Sequence, residues 1–313
     1  MRGMHYVNFG ATPVLAHLPR PIAKAGQVLV RVVTSSVNPV DWKMATGKLP
    51  FPRPKLPCVP GYDIAGEVVE VGDGVGGLRV GDHVHARLAG PQPGGCAEFA
   101  ISGPDVLTRM PETMDFDSAA ALPLAGMTAL QALRDVARVP VHGARERVLV
   151  VGASGGVGHI AVQLAVAFGA HVTGVCSGRN VALVQELGAH HVVDYTRPES
   201  WEGQGPFDVI IDCVGGDYRY WSPILTRRGR YASVLPGPGV LARMLLNPLV
   251  GQQVRPVLLR SRAADLAFLD ELHAALRLRV VVDSRFALEE LPKAWERSMS
   301  GRAVGKIVIR VAA

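Results

Sequence analysis

The sequence is short of several features, and each absence narrows what it can do. Its four cysteines, Cys58, Cys96, Cys176 and Cys213, lie far apart and form no C-x-x-C pair. Neither a disulfide framework nor a zinc knuckle is indicated, and a reducing cytoplasm is the expected compartment. No apolar run reaches the ~18 residues of a membrane span. The most apolar stretch, 240–250, is broken by Arg243, Asn247 and Pro248. The first 21 residues lack the continuous apolar core of a secretory leader, because Asn8, Gly10, Pro13 and His17 interrupt it. A soluble, unprocessed chain with no membrane partner is expected. Lysine is rare, and aromatic residues make up only 6%. The net charge of +6 therefore comes mainly from scattered arginines. Their densest clusters, Arg227-Arg228-Gly229-Arg230 and 255–262, have no interleaved aromatic rings, which argues against nucleic acid as a partner.

One further absence is local. From Arg147 to Gln185 there is no acidic side chain, and this stretch carries the most informative motif. A short branched apolar run, 147–151, fits a buried parallel strand. Gly152-Ala153-Ser154-Gly155-Gly156-Val157-Gly158 then turns into a helix predicted over 157–168. Glycine lets backbone approach a pyrophosphate, and the unpaired N–H groups at a helix start favour negative charge there. Ser154, Gly155, Gly156, Val157 and Gly158 are therefore the expected pyrophosphate contacts. An NAD site places an Asp or Glu about 20 residues past the glycines, whereas an Arg nearby accommodates a 2′-phosphate. Here the second predicted strand, 171–176, runs into Ser177, Arg179 and Asn180. A hydroxyl and a guanidinium suit a phosphate, so the expected cofactor is NADPH. The alternative is that Arg179 is one more solvated arginine in an arginine-rich chain.

A chain of 313 residues, 48% hydrophobic, exceeds the length at which single cores divide, so two domains are expected. Residues 1 to about 120 show no helical period. Short apolar runs separated by Pro and Gly turns read as an all-β, barrel-like module, with Pro50, Pro52, Pro54, Pro57 and Pro60 marking a surface loop. From Asp117 the period becomes helical. Strands and helices then alternate, with strands expected at 147–151, 171–176, 191–194, 209–213 and 229–234 and an edge strand at 254–259. That is the doubly wound parallel pattern. An amphipathic helix is expected at 263–276, and the tail, with a strand near 305–311, is expected to complete the β module. The expected division is a β domain of 1–122 and 279–313 and a nucleotide-binding domain of 123–278, with chemistry in a cleft between them.

These pieces resemble the medium-chain dehydrogenase/reductase superfamily, and within it the zinc-free quinone oxidoreductase and alkenal/enone reductase branch. The resemblance spans essentially the whole chain. It rests on Asn38-Pro39-Val40-Asp41-Trp42-Lys43, Pro60-Gly61-Tyr62-Asp63, Val80-Gly81-Asp82-His83-Val84, Gly95-Cys96-Ala97-Glu98-Phe99, Gly126-Met127-Thr128-Ala129, the glycine turn and Gly305-Lys306-Ile307-Val308. It implies a GroES-like β-barrel domain joined to a Rossmann domain. Where zinc-dependent relatives carry catalytic ligands, this chain has Asn38, Tyr62 and Leu124, and in the structural-zinc stretch only Cys96. These do not supply the thiolate and imidazole set that zinc takes, so both sites are expected to lack metal. Without that Lewis acid, hydride delivery to an already activated acceptor, a quinone or an α,β-unsaturated carbonyl, is the expected chemistry.

The resemblance also implies residue roles. Tyr195 falls where the family places a ring near the adenosine phosphate, although a packing role is open to it. Cys213, Val214, Val234 and Leu235 end two strands whose backbone relatives use near the nicotinamide. Lys306 matches a cofactor-contacting lysine, the alternative being a solvated strand end. Thr128 either bonds the carboxamide or caps its helix. Asn38, Asp41, Lys43 and Tyr62 are the barrel-side pocket candidates. Tyr62 stands to polarise the substrate oxygen or simply to pack, and Asp41 and Lys43 to line the pocket or to pair with each other. No dedicated general acid is evident. A homodimer through the edge strand is implied by analogy. Two other functions remain open: a tailoring enoyl reductase serving carrier-tethered acyl groups, and a non-catalytic NADPH- or nucleic-acid-binding relative.

Overall fold

The computed structural model describes residues 1–49, 53–247 and 250–312. Pro50 and Pro52 of the proline-rich loop, and Pro248 within the apolar stretch, lie outside the described residues. The chain divides into two compact units: Met1–Leu124 with Ser261–Leu276 and Val280–Ala313, and Ala125–Arg260 with Arg277–Arg279.

In the first unit, alternation of apolar and polar residues builds a seven-stranded sheet, six strands running Val282–Ala287, Lys306–Arg310, Val28–Val37, Asp63–Val71, His83–Arg87 and Leu107–Arg109 and the seventh, Phe99–Ser102, joining off this path. The ten-residue strand Val28–Val37 is shared lengthwise. Its first half pairs with Phe99–Ser102 and its second half with Lys306–Arg310, both antiparallel. The C-terminal tail thus completes the β unit, as the composition implied. Val30, Val32, Ile64, Val68, Val84, Ile307 and Ile309 form the core, each nearly or fully excluded from solvent.

Several short helices went unread in the sequence, Pro39–Ala45 and Leu291–Met299 of the β unit among them. Pro39–Ala45 spans seven residues, too few to register as a 3.6-residue period. Its signals were local: Pro39 at the first helical position, and Asp41, whose Oδ2 accepts the Asn38 backbone N–H at 2.7 Å.

The second unit is a six-stranded, wholly parallel sheet in the order His191–Asp194, His171–Cys176, Arg147–Val151, Phe207–Asp212, Leu225–Ser233, Gln253–Pro256. Strands covered on both faces read as continuous apolar runs, which is why 147–151 and 171–176 were legible. The edge strand is shorter than the expected 254–259.

The domain boundary differs from the sequence reading at one element. Helix Ala263–Ala274 groups with the β unit, not with the nucleotide-binding unit. The reason is a buried polar anchor. His85, fully buried, has Nε2 3.1 Å from Asp270, whose Oδ2 also accepts from Thr108 Oγ1 at 3.0 Å. Amphipathicity announces the helix without stating which core it covers.

Candidate functional site

In the parallel unit, Gly152 follows the strand Arg147–Val151 with φ +77, and the helix Gly158–Phe168 starts six residues on. A Cβ on Gly158 would stand 2.0 Å from Gly152 O, so only glycine lets the turn close this tightly. Val157, the residue before the helix, has no side chain to cap it. The N–H groups of Gly156, Val157 and Gly158 stand at the dipole end that favours an anion.

At the end of the second strand, Gly178–Asn180 forms one 3₁₀ turn. The Asn180 amide donates to Ser154 Oγ at 2.9 Å and to Ser177 Oγ at 3.3 Å. Asn180 therefore ties the glycine turn to the end of the neighbouring strand, and both hydroxyls, having accepted, keep their own hydrogens available. Arg179 is exposed and enters no ion pair among the described residues. The neighbouring carboxylate, Asp194, packs against this turn: Oδ1 accepts from Thr196 N and Oγ1 at 3.0 and 2.8 Å, Oδ2 lies 3.6 Å from Arg197 Nε, and the Gly178 N–H also supports the carboxylate. The Thr196 hydrogen bonds hold this carboxyl below the usual range. Tyr195, directly after Asp194, is 63% exposed. Its ring is therefore not part of the core.

Asp212 is a positioning residue that the sequence reading missed. It is fully buried at the end of Phe207–Asp212. Oδ1 accepts Val214 N and Gly215 N at 2.9 and 3.0 Å, and Oδ2 accepts Gly216 N and Tyr231 O–H at 2.8 and 2.6 Å. One carboxylate thus shapes the whole 213–216 turn. Cys213 N is bound to Val151 O at 3.1 Å, while Val214 is 58% exposed. Val234 N donates to Asp212 O at 2.9 Å, and Leu235 lies partly exposed beyond it. Thr128 is buried on Pro123–Gln131. The only forewarning of Asp212 was its place just before the Cys213-Val214-Gly215-Gly216 turn.

In the β unit a second cluster is wholly buried. Lys306 Nζ donates to Asn38 Oδ1 and to Val37 O at 3.3 Å, and lies 3.7 Å from Asp63 Oδ2. Asn38 Nδ2 donates to that same Asp63 oxygen at 2.8 Å, as does Ser36 Oγ at 2.9 Å. Leu124 N caps Asp63 Oδ1 at 3.0 Å. Burial raises the Asp63 carboxyl and lowers the Lys306 ammonium, and their mutual attraction opposes both shifts. Lys306 is therefore not the solvated strand end that its position allowed.

The remaining barrel candidates separate. Asp41 Oδ1 is buried with no hydrogen-bond partner, and burial pushes this carboxyl up to about 7, against the hydrogen bond from Asn38. Lys43 lies near the Trp42 ring, 5.5 Å from its centroid, so the two do not pair. Tyr62 is buried, and its hydroxyl donates to Met44 Sδ at 3.2 Å. Burial raises its pKa to about 12. The structure thus gathers Asn38, Asp41, Tyr62 and Lys306 at one end of the sheet and leaves Lys43 half-buried beside Trp42.

The comparisons with known proteins agree with this architecture. The alcohol dehydrogenase GroES-like domain family matches residues 24–125, and the zinc-binding dehydrogenase family matches 187–309. The chloroplast envelope quinone oxidoreductase homolog of Arabidopsis thaliana is 38% identical over 99% of this chain and 98% of its own. The chain belongs to the medium-chain dehydrogenase/reductase family, on its quinone oxidoreductase and alkenal/enone reductase branch. The chloroplastic NADPH-dependent alkenal/one oxidoreductase of the same plant is 37% identical over 69% of this chain and 58% of its own. Among solved structures, the quinone oxidoreductase from Coxiella burnetii superimposes with a TM-score of 0.89 at 32% identity, covering 100% of this chain and 99% of that one.

A zinc-binding family raises the question of metal. The donor set does not fit it: the Asn38 amide is held at both ends, the Tyr62 hydroxyl is turned to Met44, and Leu124 offers no ligand atom. No step is assigned to zinc. A nicotinamide dinucleotide does fit, on the uncapped helix start, the two free hydroxyls and the unpaired Arg179 guanidinium.

Proposed function

We infer that the protein is an NADPH-dependent, zinc-independent reductase of quinones or α,β-unsaturated carbonyls. The observation that carries this reading is Arg179. It is a guanidinium with no carboxylate partner among the described residues, on the same turn as the Ser177 hydroxyl, where the carboxylate of Asp194 is engaged by Thr196, the Gly178 N–H and Arg197. That set suits a 2′-phosphate and disfavours the hydroxyl-binding acid of an NAD site. Two relatives whose names specify quinone and NADPH-dependent alkenal/one reduction support the acceptor class and the cofactor.

When bound, the cofactor would supply a hydride to the acceptor's electrophilic carbon. The protein's own residues then bind, orient and exclude water. Gly155 to Gly158 would receive the pyrophosphate, Ser154, Ser177 and Arg179 the adenosine phosphate, and the turn shaped by Asp212 the nicotinamide end. The polarised barrel cluster around Asn38 and Lys306 is fixed beforehand by buried hydrogen bonds, so it needs no reorganisation during reaction.

Among the described residues the strand Gln253–Pro256 ends the parallel sheet with one edge unpaired, and Leu241, Leu245 and Leu246 nearby in sequence are exposed. Pairing of two copies through that edge is the oligomer we propose. Light scattering at micromolar concentration would return a dimer mass, and a monomer mass would dismiss it.

The deciding experiment is a stopped-flow screen of NADPH oxidation against quinones, short alkenals and cyclic enones, with NADH in parallel, on protein whose metal content is measured. Turnover with NADPH preferred and no bound zinc is expected. Activity abolished by a chelator, with zinc found in the protein, would refute the metal-free reading.

A further inference from the structure

Hydride addition to a conjugated carbonyl leaves negative charge on oxygen, and a preorganised donor in a dry site stabilises it most. In the β unit, the candidates read from the sequence are already engaged. Lys306 is given to Asn38, Val37 and Asp63, the Tyr62 hydroxyl to Met44, and Lys43 lies half-buried by Trp42.

Arg87 is different. It ends the strand His83–Arg87 directly opposite Asp63, so the sheet register carries it to the same end as Tyr62 and Asn38. Its guanidinium is half-buried, with the central carbon 4.8 Å from the centroid of the Tyr62 ring. Nη1 donates to Ser261 Oγ at 2.6 Å, whereas Nε is buried with no acceptor. No ion pair involves Arg87 among the described residues. Its register partner Asp63 is saturated by Leu124, Ser36, Asn38 and Lys306. The buried carboxyls of Asp41 and Asp63 feel the Arg87 charge, yet no carboxylate among the described residues hydrogen-bonds it, and a guanidinium stacked on a buried ring with an unmet donor can still take an anion.

We propose that Arg87 is a catalytic residue that binds the acceptor's carbonyl oxygen and holds the oxyanion formed there. This rests on reading the site as that of a quinone or enone reductase. In the enone case the cofactor, when bound, would supply hydride with its electron pair to form the C–H bond at the acceptor's β-carbon. The C=C pair shifts towards the carbonyl carbon, the carbonyl π pair moves to oxygen, and the resulting enolate takes a proton from water. Arg87 neither gains nor loses a proton in this sequence.

The test needs no turnover. 4-Nitrophenol is a small planar probe whose phenolate absorbs visible light, and a cation at its oxygen lowers the pH at which the bound probe ionises. Wild type is expected to bind the phenolate and shift its ionisation downward. Arg87→Leu is expected to bind it at least tenfold more weakly with no shift, and Arg87→Lys to keep part of both. NADPH binding and the thermal midpoint report whether each variant is folded; should the Leu variant unfold, Arg87→Gln and Arg87→Lys carry the comparison. In turnover, Arg87→Gln should lower kcat about 100-fold, as for other lost oxyanion donors, with the KM for NADPH unchanged. A folded Arg87→Leu or Arg87→Gln that binds phenolate like wild type would overturn the proposal, as would a wild type that binds none. If wild type binds phenolate through Arg87 yet reduces no acceptor, the reductase reading fails and the oxyanion site stands.

Discussion

Lys306 and Asn38 stand 268 positions apart in the chain, and their side chains meet in a fully buried hydrogen bond. Lys306 opens the strand that pairs with the second half of Val28–Val37, and Asn38 follows that half directly. The contact links the C-terminal tail to the motif that stands where zinc-dependent relatives have a metal ligand.

Removing one side of this buried cluster is expected to be more harmful than removing both. Lys306→Met leaves Asp63 charged in the interior, a change that typically destabilises by about 3–5 kcal/mol. Adding Asp63→Asn to the same chain should recover part of that loss. Urea denaturation of both single variants and the double variant checks the order.

Asp41 predicts a pH dependence with a definite sign. Its folded pKa, about 7, lies above the unfolded value of 3.8, so the folded state holds the proton more tightly. The stabilisation is complete below pH 4 and is lost as pH rises through 7. By linkage the decline is up to about 4 kcal/mol. Asp41→Asn should flatten that part of the stability curve, measured by denaturation at pH 5 and pH 8.

His171 gives the opposite sign at its own surface. Burial and its neighbours His190 and His191, at ring-centroid distances of 4.4 and 5.2 Å, lower its pKa. A neutral imidazole is favoured in the fold, so stability from this group is present at neutral pH and falls on acidification below about 6.5. Replacing His190 with Gln should raise the His171 midpoint, as followed by NMR titration.

Arg179→Ala should raise the KM for NADPH at least tenfold and change that for NADH little, because one charged phosphate contact contributes about 1.5–3 kcal/mol. Steady-state kinetics with both cofactors reads this directly. Unchanged NADPH preference would dismiss the phosphate assignment.

Asp212→Ala should weaken cofactor binding and stability together. It strips the acceptor from three backbone N–H groups and the Tyr231 hydroxyl, each buried donor left unmet being worth about 1–3 kcal/mol. Fluorescence titration with NADPH and thermal unfolding would both move. Tight binding with an intact midpoint would show that the 213–216 turn stands without it.

The parallel unit was largely legible in the sequence because its signals are local. Buried parallel strands are continuous apolar runs, and Gly158 of the glycine turn sits where a Cβ would strike backbone. The helix Pro39–Ala45 was not legible by period, being shorter than two turns. The allegiance of Ala263–Ala274 depended on His85, nearly two hundred residues earlier. Asp212 and Arg87 carry no motif. Their importance comes from which backbone N–H groups or rings surround them after folding.

By itself the sequence determined the two-unit plan, the glycine turn, the acid-free stretch before Ser177 and Arg179, and the non-ligand residues Asn38, Tyr62 and Leu124. Each is a matter of residue type at a spacing, readable along the chain. The tertiary structure decided that the Tyr62 hydroxyl is turned to Met44, that Lys306 is buried against Asn38 and Asp63, and that Arg87 keeps an unmet donor. The physical reason is that a side chain's chemistry depends on burial and on which partners reach it. Both are set by sheet register between segments tens to hundreds of residues apart.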